Sequence, residues 1–223
     1  MVLAAGRGSR LRPLTDRTPK PLIEVGGATL IDHHLARLAA CGIERAVINL
    51  HHLGDAIRDH LRANPPPLPV VFSEEPTLLE TAGGIVRALP LLGDEPFLVV
   101  NADVFTDYDF ERLLSGPGDA LAHLVMVPRP PWATRGDFDL AAVNAAAAER
   151  VPLALGDAAR LTYAGIGTYA PAFFDGAPHG PLALRPLLDA GIAAGRLTGE
   201  RHEGIWNDIG TAERLAQARS RYG

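Results

Sequence analysis

The sequence predicts an α/β fold: an open, mostly parallel sheet with helices on both faces. Three observations lead there. Runs such as "PFLVVNAD" and "LAHLVMVP" are continuously apolar rather than alternating, the pattern of strands covered on both sides. Between such runs lie stretches with apolar residues at helical spacing, so strand and helix alternate along the chain. The chain has 223 residues of which 47% are hydrophobic, enough to build one sizeable core.

The elements follow in order. "MVLAA" reads as the first strand, and it is short beside the usual length of about 5–6 residues, which leads us to expect a few further residues before Met1. "TLIDHHLARLAACG" places Leu30, Ile31, His34, Leu35 and Leu38 on one helical face and stops at Gly42. "RAVINL" is the second strand, "LGDAIRDHLRAN" the second helix and "LPVVFSE" the third strand. "GGIVRALPLL" reads as a short helix opened by two glycines, ahead of the fourth and fifth strands, "PFLVVNAD" and "LAHLVMVP". Residues 129–160 are less regular. "RLTYAGIGTYAP" resumes strand character, "PLALRPLLDAGIAAG" is helical and "GIWNDIG" is a short strand. "TAERLAQARSRYG" closes the chain as a helix capped by Thr211. No repeat or linker interrupts it, so one Rossmann-like domain over residues 1–223 is expected.

Composition removes several classes of function. A net charge of −5 argues against general nucleic-acid binding, which normally shows a basic face. The single cysteine, Cys41, leaves no intrachain disulfide and no Cys-type zinc site. No apolar run approaches the roughly 18 residues of a membrane span, and no leader is evident, so a cytoplasmic protein without membrane or nucleic-acid partners is expected. His33 and His34 sit about 100° apart on a helix, and His51 and His52 read as a polar strand end rather than a metal site. Trp132 and Trp206 read as packing residues, and no G-x-S-x-G nucleophile motif is present.

In an open parallel sheet, ligands bind beyond the carboxyl ends of the strands. Those ends carry "AAGRGSR", "SEEP" and "NADVFTD", which would face one crevice. The stretch after the first strand is neither a Walker A loop nor a dinucleotide fingerprint, since Leu11 stands where the third glycine would be. Gly6 and Gly8 still allow close backbone approach and a concavity of N–H groups, flanked by Arg10 and Lys20. That combination suits a polyphosphate. Asp103 and Asp208 each follow an apolar run, and together they could hold one Mg²⁺, which prefers oxygen ligands and keeps several waters.

"GRGSRLRPLTDRTPKP", Gly6–Pro21, resembles almost letter for letter the sugar-1-phosphate nucleotidyltransferase pattern G-x-G-[ST]-R-L-x-P-L-T-x-x-x-P-K-P. "LETAGGI", "NADVFTDYDF" and "WNDIGTAERL" are similar to further blocks of that family, in the same order, so the resemblance spans nearly the whole chain. Within the family the short length and "LPLLGDEPFLVVNADVFTDYDF" look most like the compact uridylyltransferases that use N-acetylmuramate-1-phosphate in cell-wall recycling.

The resemblance implies a nucleotidyltransferase fold of the GT-A-like kind, and a reaction in which a sugar-1-phosphate oxygen attacks the α-phosphorus of UTP and releases pyrophosphate. It implies that Leu3, Ala4, Ala5, Gly6 and Gly8 line the nucleotide, with Gly8, Ser9 and Arg10 along its phosphates. Lys20 would neutralise the phosphates of both substrates, and Arg10 would orient the attacked one. Glu80, Gly83 and Asn101 would read base and ribose, Asp103 and Asp208 would bind Mg²⁺, and Gly136 and Thr168 would cradle the sugar. Residues 129–168 would form the sugar-binding part, with Arg129 or Arg135 beside an acidic substituent. A monomer or small homo-oligomer is expected. A guanylyl- or thymidylyltransferase for mannose- or glucose-1-phosphate is the alternative enzyme, and a silent nucleotide-sugar sensor or regulatory subunit the alternative outside catalysis. The chain departs from the pattern at Ala82, at Asn207 and through residues 129–160.

Overall fold

The computed structural model describes residues 1–141, 150–156 and 159–223. The chain opens on a two-residue strand, Val2–Leu3 (β1), because the Ala4 N–H leaves the ladder to donate to the Asn49 side chain at 2.7 Å. A small hairpin, Glu24–Val25 (β2) and Ala28–Thr29 (β3), leads into the helix Leu30–Ala40 (α1), whose first turn is capped by the Thr29 hydroxyl. Ala46–Leu50 (β4), Gly54–Ala63 (α2), Val70–Glu74 (β5), Glu80–Leu92 (α3) and Phe97–Asn101 (β6) continue the alternation. Then come Val104–Thr106 (β7), Ala122–Pro128 (β8), Asp139–Leu140 (β9), Val151–Ala154 (β10) and Leu161–Tyr169 (β11). Leu184–Ala193 (α4), Leu197–Arg201 (β12), Trp206–Asp208 (β13) and Ala212–Tyr222 (α5) complete the chain, with the Thr211 hydroxyl accepting the Arg214 N–H at the start of α5.

Nine strands form one sheet in the order β5–β4–β1–β6–β11–β8–β12–β10–β9. β5, β4, β1 and β6 are parallel neighbours, and β12 is parallel to β8. β11 runs antiparallel between β6 and β8, and β10 is antiparallel to both β12 and β9. The sheet is therefore mixed, with all strands except β11 and β10 pointing one way. A strand covered on both faces looks continuously apolar in either direction, which is why the sequence did not reveal the reversals. β1 lies between β4 and β6, where the connections turn from one side of the sheet to the other, and its carboxyl end is the switch point at which ligands bind.

Successive residues of a strand face opposite sides, and the core divides accordingly. Ile48, Val100 and Ile166 pack with Ile31, Leu35 and Leu38 of α1 and with Ile57 and Leu61 of α2. Val47, Val99 and Tyr169 pack on the other side with Ile85 and Val86 of α3 and with Leu188 and Ile192 of α4. A third cluster joins Leu11, Ile23, Val25 and Leu30 to Ile209, Leu215 and Ala218, so α5 clamps the long loop onto the β2–β3 hairpin. Away from the main sheet, β13 pairs antiparallel with β7 and sets Asp208 opposite Val104.

One helix start differs from expectation. α3 begins at Glu80, so Gly83 and Gly84 lie inside it rather than opening it. Packing explains both glycines. A Cβ on Gly83 would come within 2.2 Å of the Gly180 carbonyl oxygen, and one on Gly84 within 2.6 Å of Glu75 Oε1.

His34 on α1 is 2% exposed, and its Nε2 has no hydrogen-bond partner among the described residues. Burial, the dominant cause, pulls its pKa down to about 4. The folded state thus keeps His34 neutral while the unfolded chain protonates it near pH 6.5. The associated stability is complete above pH 6.5 and is lost as pH falls toward 4. Between pH 7 and pH 5 this histidine should remove about 2 kcal/mol. Urea unfolding of His34→Leu should show a pH-dependent loss smaller by that amount, and equal losses in both proteins would refute the assignment.

Candidate active site

At the carboxyl end of β1 the chain enters a turn that only glycine accommodates. Gly8 has φ +59°, and a Cβ there would stand 2.9 Å from Thr15 Cγ2. The Thr15 hydroxyl and the Leu11 N–H both donate to the Gly8 carbonyl at 2.9 Å, which fixes the turn. At Gly6 a Cβ would meet nothing within 4 Å, so the space beside it is open. This loop forms one wall of a cleft of about 680 Å³. Leu3, Ala4, Ala5, Gly6, Gly8, Ser9, Arg10 and Lys20 all line that wall.

Lys20 sits in a 3₁₀ turn after Pro19 and is only 9% exposed. Its ammonium donates to Asp103 Oδ2 and lies 3.8 Å from Asp208 Oδ1. Asp103 follows β6 and Asp208 ends β13, and the β7–β13 ladder joins their backbones, with the Ile209 N–H donating to the Asp103 carbonyl at 2.9 Å. Arg214 Nη1 donates to Asp208 Oδ2 at 2.8 Å, and its guanidinium stacks 4.9 Å from the Trp132 ring. Arg10 reaches the same corner: its Nη2 lies 3.0 Å from where a Gly210 Cβ would be. Asp208 Oδ1 is buried and has no hydrogen-bond partner among the described residues.

The far walls come from other elements. Glu80 and Thr81 at the start of α3, and Asn101 at the end of β6, line the cleft. Glu80 has φ +59°, an unusual conformation for a residue with a side chain. Behind them runs a buried network: Ala4 N–H to Asn49 Oδ1, Asn49 Nδ2 to Glu75 Oε1 at 2.6 Å, and Leu79 N–H to Glu75 Oε2 at 3.1 Å. Asp137, Phe138 and Tyr163 line the remaining wall with Leu184, Arg185 and Leu188 of α4.

Gly83, Gly136, Thr168 and Asp208 are not among the residues that line the cleft. Gly83 faces the 180–182 segment, and its N–H donates to the Leu182 carbonyl at 3.1 Å. Thr168 is 2% exposed in the middle of β11, paired with Leu98 and His123. Gly136 is pressed against the carbonyls of Ala159 and Leu161, where a Cβ would come within 2.6 and 2.5 Å, and so delivers Asp137 and Phe138 to the cleft without reaching it. Arg129 and Arg135 also lie outside the cleft lining, with Arg129 donating to the Ala133 carbonyl at 2.5 Å. Residues 142–149 and 157–158 of the expected sugar-binding stretch fall outside the described residues.

Sequence reasoning missed Asn49, Glu75, Arg185 and Arg214. Only Glu75 carried a signal, as part of "SEEP" at the end of the third strand. Arg214 follows Asp208 by six positions at the head of α5, which a sequence cannot distinguish from an ordinary exposed arginine.

The family model described as nucleotidyl transferase matches residues 1–150. The chain belongs to that family. It is 44% identical to the N-acetylmuramate alpha-1-phosphate uridylyltransferase of Neisseria meningitidis serogroup B, over 99% of this chain and 96% of the relative. It is 35% identical to the enzyme of the same name from Caulobacter vibrioides, over 99% of this chain and 95% of the relative. Among solved structures, HddC from Yersinia pseudotuberculosis superimposes with a TM-score of 0.79 at 21% identity, covering 100% of this chain and 98% of that one, which shows the shared fold.

The position of Gly83 gives a direct test. Gly83→Ala should lower the unfolding temperature markedly, since overpacking against backbone costs on the order of 1–3 kcal/mol. The folded fraction should bind nucleoside triphosphate within about threefold of the parent, as measured by calorimetry. A large loss of affinity with unchanged stability would return Gly83 to the base site.

Proposed function

We propose that this protein joins UTP and N-acetylmuramate-1-phosphate to give a UDP-sugar and pyrophosphate. The observation that carries the reading is likeness along the full length, in both directions, to two uridylyltransferases of that name. The cleft supports it by gathering a glycine-rich loop, Arg10, Lys20 and Asp103 at the switch point of the sheet, with Asp208 Oδ1 3.8 Å from the Lys20 ammonium.

The chemistry asks for charge neutralisation rather than proton transfer. An oxygen of the sugar phosphate forms the new bond to the α-phosphorus, and the bond from that phosphorus to the β-phosphate oxygen breaks, with its electron pair leaving on pyrophosphate. The nucleophile is already anionic, so no general base is required. Bringing several anions together is the obstacle, and positioned cations and dipoles supply the acceleration. In this reading the N–H groups of Gly8, Ser9 and Arg10 hold the triphosphate, the Arg10 side chain orients the attacked phosphate and Lys20 neutralises both substrates as they meet. Leu3, Ala4, Ala5 and Gly6 bound the nucleoside, while Glu80 and Asn101 face base and ribose. The Asn49–Glu75 network holds the base wall in place behind them.

Asp103 and Asp208 suit Mg²⁺, which is commonly held by one or two carboxylates together with substrate phosphates and water. The fit rests on Asp208 Oδ1, a buried carboxylate oxygen without a hydrogen bond among the described residues. When bound, the ion would neutralise phosphate oxygens. Among the described residues there is no cluster of three or more His, Cys, Asp or Glu that could hold a metal, so a metal bound here relies on its substrate for further ligands. No described helix is long and apolar enough to cross a membrane. The reading places the protein in the cytoplasm because its triphosphate substrate is there.

Asp103→Asn and Asp208→Asn should each slow turnover about 10²- to 10⁴-fold with circular dichroism unchanged. Parental rates in excess EDTA would exclude the metal. Lys20→Ala should lower kcat more than it weakens triphosphate binding, because its charge matters most where the two phosphates meet. An effect on apparent triphosphate affinity alone would contradict that role.

The reading itself is tested by a matrix of triphosphates against sugar-1-phosphates, followed by pyrophosphate release. UTP with N-acetylmuramate-1-phosphate should give the highest kcat/KM, with appreciable dTTP use, since excluding one methyl is worth only about 1–3 kcal/mol. A faster reaction of GTP with mannose-1-phosphate would replace this reading with the guanylyltransferase one.

A further inference from the structure

Among the described residues, three cations line the cleft: Arg10, Lys20 and Arg185. The first two belong to the phosphate loop. Arg185 stands on another wall, in the first turn of α4, and neither the sequence pattern nor the reaction chemistry uses it. A sugar-1-phosphate must present its own phosphate at the loop, where the triphosphate is held. An arginine on the α4 wall is therefore placed for a second anionic group on the same sugar. We infer that Arg185 binds the carboxylate of an acidic sugar substituent and so sets the enzyme's preference for N-acetylmuramate-1-phosphate over its neutral parent sugar. The inference rests on the proposed function and deepens it.

The surroundings of Arg185 fit that role. Its guanidinium lies 4.7 Å from the centroid of the Phe138 ring, and Phe138 is 1% exposed, so a buried platform orients the planar fork. The side chain itself is 46% exposed and open to the cleft. Nε donates to Asp189 Oδ1 at 2.7 Å, but that is an exposed pair four residues apart on one helix, a kind that contributes little. Nη1 lies 3.6 Å from Asp137 Oδ1, too long for a hydrogen bond. Asp137 is turned toward the backbone, with its Oδ2 accepting the Tyr163 N–H at 3.0 Å. Neither Nη group thus makes a hydrogen bond among the described residues, and a carboxylate can take both in the bidentate geometry that arginine favours.

The test compares kcat/KM for N-acetylmuramate-1-phosphate and N-acetylglucosamine-1-phosphate, which lacks only the lactyl ether, with UTP saturating. For Arg185→Met the ratio between the two sugars should fall about 10- to 100-fold, the range of one charge-assisted hydrogen-bonded contact. Arg185→Lys should restore part of it, since the charge returns without the fork. The parent enzyme should lose a similar factor when the lactyl carboxylate is converted to its amide. A parent preference for the acidic sugar that persists in Arg185→Met would overturn the role of Arg185 while leaving the proposed function standing. Failure of the parent enzyme to use either sugar with UTP would instead overturn the proposed function, and the role of Arg185 with it.

Discussion

Pairing β13 with β7 brings two carboxylates, Asp103 and Asp208, to the same end of the cleft, and their repulsion has to be answered by cations from distant parts of the chain. Lys20 supplies one answer and Arg214 the other, with Arg214 pairing Asp208 Oδ2 and Lys20 pairing Asp103 Oδ2. Each cation also carries a structural duty. Lys20 pins the end of the glycine-rich loop to the strand side of the sheet, while Arg214 ties the closing helix to the same corner and supports Trp132. The loop, the sheet edge and the last helix converge because the charges must balance there. Asp208 Oδ1 is left without a hydrogen bond among the described residues, with the Lys20 ammonium 3.8 Å away.

The shortness of β1 is part of the same arrangement. Ala4 gives its N–H to the Asn49 side chain rather than to a backbone carbonyl of the neighbouring strand, and Asn49 passes the connection to Glu75 and on to Leu79. A buried polar chain of this kind is costly when any member is unpaired, so each member fixes the next. It turns the glycine-rich loop away from the sheet and at the same time sets where α3 begins. The wall that carries Glu80 is therefore positioned from the opposite side of the cleft.

Much of the fold was legible because strands buried on both faces and amphipathic helices announce themselves by periodicity. The start of α5 was legible through Thr211, whose side chain caps the first turn. The direction of β11 was not, since an apolar strand reads alike both ways. The two glycines of α3 misled for a physical reason: a glycine pair looks like a helix boundary unless one knows that Gly180 and Glu75 press on it. The loop residues and Asp103, which line the cleft, were singled out in the sequence by an extended motif. Gly136 and Thr168, expected at the sugar, do not line the cleft, and Arg185 and Arg214 were not singled out because nothing local separates them from solvent-facing arginines.

Gly83 joins two walls that the sequence keeps a hundred residues apart. Its N–H bonds to the Leu182 carbonyl, and the Leu182 N–H returns a bond to the Leu79 carbonyl at 2.9 Å. With no side chain between them, α3 and the segment leading into α4 form a single rivet of backbone. Two backbone hydrogen bonds thus tie the helix bearing Glu80 to the residues immediately before the helix bearing Arg185. Amide exchange at Gly83 and Leu182 would register those two bonds whichever substrate arrived first.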